Sequence, residues 1–184
     1  MFRIFAAVCA LYGAVATIAV LPAEAQQPAA PAPAQAPAPA APAPMLPYGP
    51  PITLDQAKRV MAAAELEAAK NSWQVAITIL DSGGNTVMYH KGDNAQLSAE
   101  TVSAGKARTA LEFKHPSKAL DDAIAAGGAG LRLLALKNIT PIEGGILIVA
   151  DGKIIGAIGV SGALSAQDAQ IATAGVAALA KSGM

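Results

Sequence analysis

The chain has 184 residues, with 13 basic and 13 acidic side chains and a formal net charge of zero. A neutral chain with 4% aromatic residues has neither the positive field nor the stacking platforms that nucleic-acid binding draws on. Its single cysteine, Cys9, excludes a disulfide framework, cysteine-based zinc sites and iron–sulfur clusters.

The N-terminus has the build of a secretory signal. Arg3 is followed by an apolar run from Ile4 to Leu21, and Ala23-Glu24-Ala25 supplies small residues where a signal peptidase reads. Residues 1–25 are therefore expected to be a signal peptide cut after Ala25, giving a periplasmic or secreted protein with no membrane insertion after cleavage. The rival reading is a retained anchor, since the apolar run is near the lower limit of roughly 17–20 residues for a spanning helix. Cleavage would remove Cys9, and with it any thiolate nucleophile. It would also remove Arg3 and Glu24, leaving 13 − 1 = 12 side chains of each sign. Residues 26–51 are almost entirely Pro, Ala and Gln without charge, the composition of a disordered, extended linker.

A folded domain is expected over 52–184. Thr53 with Gln56 reads as a capping box for a first helix, whose apolar stripe is Leu54, Ala57, Met61, Ala64 and Ala68. Val75, Ile77 and Ile79 alternate as a strand, and Asp81-Ser82-Gly83-Gly84-Asn85 turns into a second strand, Thr86–Tyr89. Ser98 is placed to cap a second long helix to Phe113, and Pro116 opens a short third one, ended by Gly127, Gly128 and Gly130. A weak strand signal spans 139–142, and a clear one spans Ile146–Val149. Asp151-Gly152 is a hairpin turn into Lys153–Val160, and Ser165 with Asp168 reads as the cap of a last helix running to Lys181. Helices around two hairpins give an α+β domain with an antiparallel sheet.

Few motifs carry chemistry. Gly156-Ala157-Ile158-Gly159-Val160-Ser161-Gly162 has the wrong spacing for a dinucleotide loop, and no second parallel strand follows it. Ser103-Ala104-Gly105-Lys106 has the spacing of a serine–lysine acyl-transfer pair without its partner motifs. No catalytic constellation stands out. On the second helix Val102, Lys106, Thr109 and Phe113 share a stripe. Two readings of Lys106 stay open: a stem lying on apolar surface with its amine in water, or a polar contact in a mostly apolar ligand groove. Arg108 with Glu112 reads as a solvated pair. The two histidines, His90 at a strand end and His115 before Pro116, are each a single potential iron donor.

These segments together resemble a known family. Lys106-Ala107-Arg108-Thr109-Ala110, Phe113 and Pro116-Ser117 are similar to the K-A-x-T-A…F…P-[ST] segment of the GlcG/HbpS-like haem-binding (haem-degrading domain) proteins. Leu80-Asp81-Ser82-Gly83-Gly84-Asn85 resembles their hairpin, and Ile155–Gly162 followed by Gln167-Asp168 resembles their G-A-[IV]-G-V-S-G…D ending. The resemblance implies a profilin-like fold with a five-stranded antiparallel sheet flanked by helices. It also implies a dimer-based homo-oligomer, up to an octamer, and a haem or related tetrapyrrole as partner. Carried onto this chain, it places cofactor-binding residues at Lys106 and Thr109; Arg108, as a cation for the ligand's carboxylates, Phe113 of the same segment and His115, in a stretch that varies in the family, are the further candidates. The iron ligand is left open among Thr109, His115 and His90. The expected function is exported haem binding for scavenging, storage or sensing. The alternatives are a small-molecule or haem-degrading enzyme using the same groove, and an oligomeric structural module.

Overall fold

The computed structural model describes residues 45–180. The expected signal peptide, most of the expected linker and residues 181–184, with the expected helix end at Lys181, lie outside the described residues. Helix α1 (Leu54–Lys70) opens on the capping box read from the sequence: the Gln56 N–H donates to Thr53 Oγ1 at 3.2 Å and the Thr53 N–H donates to Gln56 Oε1 at 2.9 Å. Strands β1 (Ala76–Asp81) and β2 (Thr86–Lys91) form the first hairpin. Helices α2 (Ala99–Phe113) and α3 (Ser117–Ala125) follow, then a 3-10 segment, Gly128–Ala135. Strands β3 (Gly145–Ala150) and β4 (Lys153–Ser161) form the second hairpin, and α4 (Ser165–Ala180) closes the described chain. The β3–β4 turn has Asp151 at φ 49° and Gly152 at φ 69°, two left-handed residues in a row, as a tight hairpin turn requires.

The sheet has four strands in the order β2-β1-β4-β3, every pair antiparallel. This corrects the expected five. The segment 139–142 does not join a ladder, because hydrogen bonds to α2 and α3 hold it instead. A different segment meets β4 beyond the end of β1: Tyr48 makes an isolated parallel bridge to Ile154, with the Ile154 N–H donating to the Pro47 carbonyl at 2.9 Å.

Helices cover both faces of the sheet. On one, Ile77, Ile79, Ile158 and Val160 pack with Val60, Met61 and Ala64 of α1 and Ile171 and Ala172 of α4. On the other, Leu80, Ile154 and Ala157 pack with Ala107, Ala110 and Leu111 of α2. Helix α2 lies close on the strands because two glycines let it. A Cβ on Gly159 would collide with the Ser103 carbonyl, and one on Gly145 with the Lys106 carbonyl. Two caps differ from expectation. Ser98 precedes α2 in αR geometry and its side chain makes no capping bond. At α4, Gln167 Oε1 accepts from the Leu164 N–H at 3.1 Å, while Asp168 turns inward.

Candidate functional site

Lys106 is 1% exposed. Its Nζ donates to Asp168 Oδ2 at 2.8 Å and to the Val160 carbonyl at 3.0 Å. A Cβ on Gly144 would lie 2.9 Å from that nitrogen, so a glycine also makes room for the amine. Neither sequence reading of Lys106 holds, because the amine is neither in water nor facing an open groove. It ties α2 to the end of β4 and to the first turn of α4. Asp168 Oδ1 accepts from the Ala163 N–H at 3.1 Å. Burial pushes the Asp168 carboxyl above its ordinary value, against the pull of the Lys106 hydrogen bond and charge.

Thr109 is also fully buried, and its Oγ1 accepts from the Thr140 N–H at 2.7 Å. Ser117, buried at the start of α3, accepts from the Gly145 N–H at 2.8 Å and donates to the Ile142 carbonyl at 2.7 Å. The chain from 128 to 142 is thus a strap, pinned at Thr140 and Ile142 and folded against α3, where a Cβ on Gly130 would collide with the Ala123 carbonyl. The Lys106–Thr109 turn is closed within the subunit by this strap and by α4, which corrects the expected cleft beside it.

The strap's outer surface is apolar. Leu131 is 50% exposed, Leu134 64%, Leu136 47% and Ile142 41%, and no residue of the 3-10 segment is buried. Arg132 and Lys137 are exposed among them. Anchored chain that holds large aliphatic side chains out in water marks an interaction site more than scattered surface leucines do. His115 is exposed at the α2–α3 junction, two residues before Ser117. Phe113 is half-buried at the end of α2.

Two other predicted residues lie apart from the strap. Arg108 donates from Nη2 to the Gly84 carbonyl at 3.2 Å and stands 3.6 Å from Glu112, the solvated pair read from the sequence. His90, on β2, lies 3.0 Å from Glu65 Oε1 and lines a small cavity of about 130 Å³ with Trp73, Val75 and Ile77. A larger concavity of about 370 Å³ opens at the other end of the sheet, between Arg59, Asp151 and Leu179. Among the described residues no group of three or more His, Cys, Asp or Glu side chains is arranged to hold a metal, and no helix is long and apolar enough to cross a membrane.

Residues 52–177 match the family model described as haem-degrading protein, HbpS-like. The chain belongs to the HbpS-like family. It is 38% identical to protein GlcG of Escherichia coli K12 over 110 residues, 60% of this chain and 81% of that one. Among solved structures, a double mutant of Streptomyces reticuli HbpS is 31% identical with a TM-score of 0.66, over 80% of this chain and 99% of that one. A PduOC–haem complex is 27% identical with a TM-score of 0.64, over 70% of this chain and 94% of that one.

Within this HbpS-like chain, the segments that carried the resemblance turn out to be partners. The lysine of K-A-x-T-A binds the aspartate of the closing segment, and the threonine and the serine of P-[ST] hold the two ends of one strap segment. Sequence reading named Asp168 as a cap and as the aspartate of the closing segment but missed its pairing with Lys106, because an acidic residue three positions into a helix already has a capping role to play. It also missed the strap, whose only signal is the run Leu131-Arg132-Leu133-Leu134 after three glycines.

Proposed function

We propose that this chain is an exported haem-binding module whose ligand lies on the outer surface of the 128–142 strap. The observation that carries the reading is the set of exposed side chains Leu131, Leu134, Leu136 and Ile142 on a segment held by hydrogen bonds to the buried Thr109 and Ser117. Haem suits such a surface. Its broad ring gains from apolar burial at about 25 cal/mol per Å², and its carboxylates would meet Arg132 or Lys137. His115, exposed two residues before the Ser117 that holds the strap, is the donor we assign to iron. The haem complex of the PduOC relative, which shares the fold, supports the ligand class. Lys106 and Thr109 then serve the site by fixing its support, without touching the ligand.

The rest of the reading follows the sequence: a signal peptide over 1–25, a spacer over 26–51, a profilin-like domain and a dimer-based homo-oligomer. Scavenging, storage or sensing outside the cytoplasm fits an exported binder.

Titration of the processed protein with haem tests the core of the proposal. A saturable Soret band is expected, together with a weaker one in Leu131→Ser/Leu134→Ser. Each half-exposed leucine gains about 1 kcal/mol on full burial, so the pair should cost roughly tenfold or more in affinity. An unchanged affinity in that variant would remove the strap as the site. Bleaching of the band with product formation under a reductant would instead favour the degradative activity in the family's description.

A further inference from the structure

Tyr48 precedes the first helix in a stretch of uncharged chain, yet the domain holds that stretch on both sides of it. The Ile154 N–H donates to the Pro47 carbonyl at 2.9 Å, the Gly49 N–H donates to the Ile154 carbonyl at 2.8 Å, and Ile52 is buried in the core. The Tyr48 side chain reaches the C-terminus of α2. Its hydroxyl donates to the Leu111 carbonyl at 2.8 Å, and the Lys114 ammonium sits 4.2 Å from the ring centroid. The Leu111 carbonyl also accepts from the Lys114 N–H at 3.3 Å, and Lys114 is left-handed at φ 55°. The last carbonyls of a helix lack an intrahelical donor, and here Tyr48 supplies one. A left-handed residue other than glycine is disfavoured unless its surroundings hold it. Tyr48 holds Lys114 twice, through the carbonyl that both residues bond and through the cation over its ring.

His115 follows directly. It hangs between two fixed points: Lys114, held by Tyr48, and Ser117, whose Oγ bonds to Gly145 and Ile142. Pro116 between them is extended, at φ −52° and ψ 140°, and the residue before a proline is itself biased to extended backbone. The path of the chain at His115 is therefore set by its neighbours, and Tyr48 is the control on the helix side. We infer that Tyr48 is a positioning residue for haem: it fixes the turn from which His115 presents its imidazole to iron, without touching the ligand. A metal donor must be held close to its productive position, so a loosened turn at Lys114 costs ligation more than it costs the fold. This inference rests on the proposed assignment of His115 to iron, and it names the residue that sets that donor in place.

A double-mutant cycle with haem as the probe tests it. In the parent background Tyr48→Ala should move the Soret maximum and weaken haem affinity roughly three- to tenfold, the effect of about one lost hydrogen bond. In the His115→Ala background the same substitution should change neither. Tyr48→Phe keeps the ring over Lys114 and should fall between the parent and Tyr48→Ala, a comparison that stands even if Tyr48→Ala fails to fold. Thr53→Ala breaks the capping box of α1 and controls for lost stability alone: it should lower the melting temperature with the Soret maximum unmoved. Without haem, hydrogen exchange at the Lys114 amide should quicken roughly threefold or more in both Tyr48 variants. Unchanged exchange, or an equal loss of affinity in both backgrounds, overturns the inference. So does a Tyr48→Ala protein that binds haem as the parent does while His115→Ala moves the band, a result that keeps His115 as the donor. If His115→Ala itself leaves band and affinity unchanged, the donor assignment falls and the role of Tyr48 falls with it.

Discussion

Lys106 and Asp168 are 62 positions apart, both at most 2% exposed, and 2.8 Å apart through Nζ and Oδ2. Burying two charges is costly, and the pair is tolerated because each has a second bond, to the Val160 carbonyl and from the Ala163 N–H. Removing one member leaves the other buried and charged without its counter-ion. Lys106→Met is therefore expected to lower unfolding stability by about 3–5 kcal/mol, measured by urea denaturation. The loss should depend on pH in a defined direction. Burial already raises Asp168, and without lysine's opposing pull it rises further. A carboxyl whose folded pKa lies above its unfolded value binds protons more readily in the native state, so stability increases as pH falls through that window. The deficit of Lys106→Met against the parent should shrink from pH 8 toward pH 5, and a deficit constant with pH would mean that Asp168 is not left charged. Thr109 makes a smaller version of the same argument. Thr109→Val strands the Thr140 N–H, at a cost of about 1–3 kcal/mol, and Thr109→Ser should restore most of it. At this scale the sequence was half legible: spacing put Lys106 and Thr109 on one stripe, but their partners came from distant segments that no local pattern links.

Elements were more legible, because local rules decide them. The capping box fixes the start of α1, alternation fixes β1, and Asp151-Gly152 fixes the second hairpin. The misreadings fall where tertiary bonds override local pattern. The 139–142 stretch has strand-like residues, yet its hydrogen bonds go to Thr109 and Ser117, so it cannot extend the sheet. The segment after Gly127 was read as a helix end, although the leucines beyond it continue as a 3-10 segment against α3. Gly159 of β4 is a close-packing site, and it allows a test of how α2 is seated. Gly159 stands against Ser103 and Ala107 backbone, with no flexible side chain to yield. Gly159→Ala should force α2 away from the sheet and cost about 1–3 kcal/mol or more, read as a lower melting temperature. Gly152→Ala, in the open hairpin turn, meets nothing within 4 Å and should show only the smaller penalty of a left-handed alanine, about 1–2 kcal/mol.

For the whole molecule, the functional question is whether the strap is a ligand surface or only exposed apolar chain. Haem adsorbs to many greasy surfaces, so an absorbance change alone separates these poorly. Linkage to folding separates them well. A ligand that binds only the native state stabilises it by RT ln(1 + [L]/Kd), about 2.7 kcal/mol at a hundredfold excess over Kd. A domain of this size should then melt several degrees higher. Haem that sticks to loose leucines binds the unfolded chain as well or better, and would leave the melting temperature unchanged or lower it. The strap's anchoring sharpens the test. Thr109→Val removes a bond beneath the surface without altering any exposed leucine, so it should reduce the haem-induced shift as well as the starting stability. A variant with lowered starting stability but an undiminished shift would place the ligand elsewhere on the fold. His115→Ala should act differently. His115 is exposed and makes no hydrogen bond among the described residues, so the apoprotein should melt as the parent does, while the Soret maximum moves because the iron has lost its nitrogen donor.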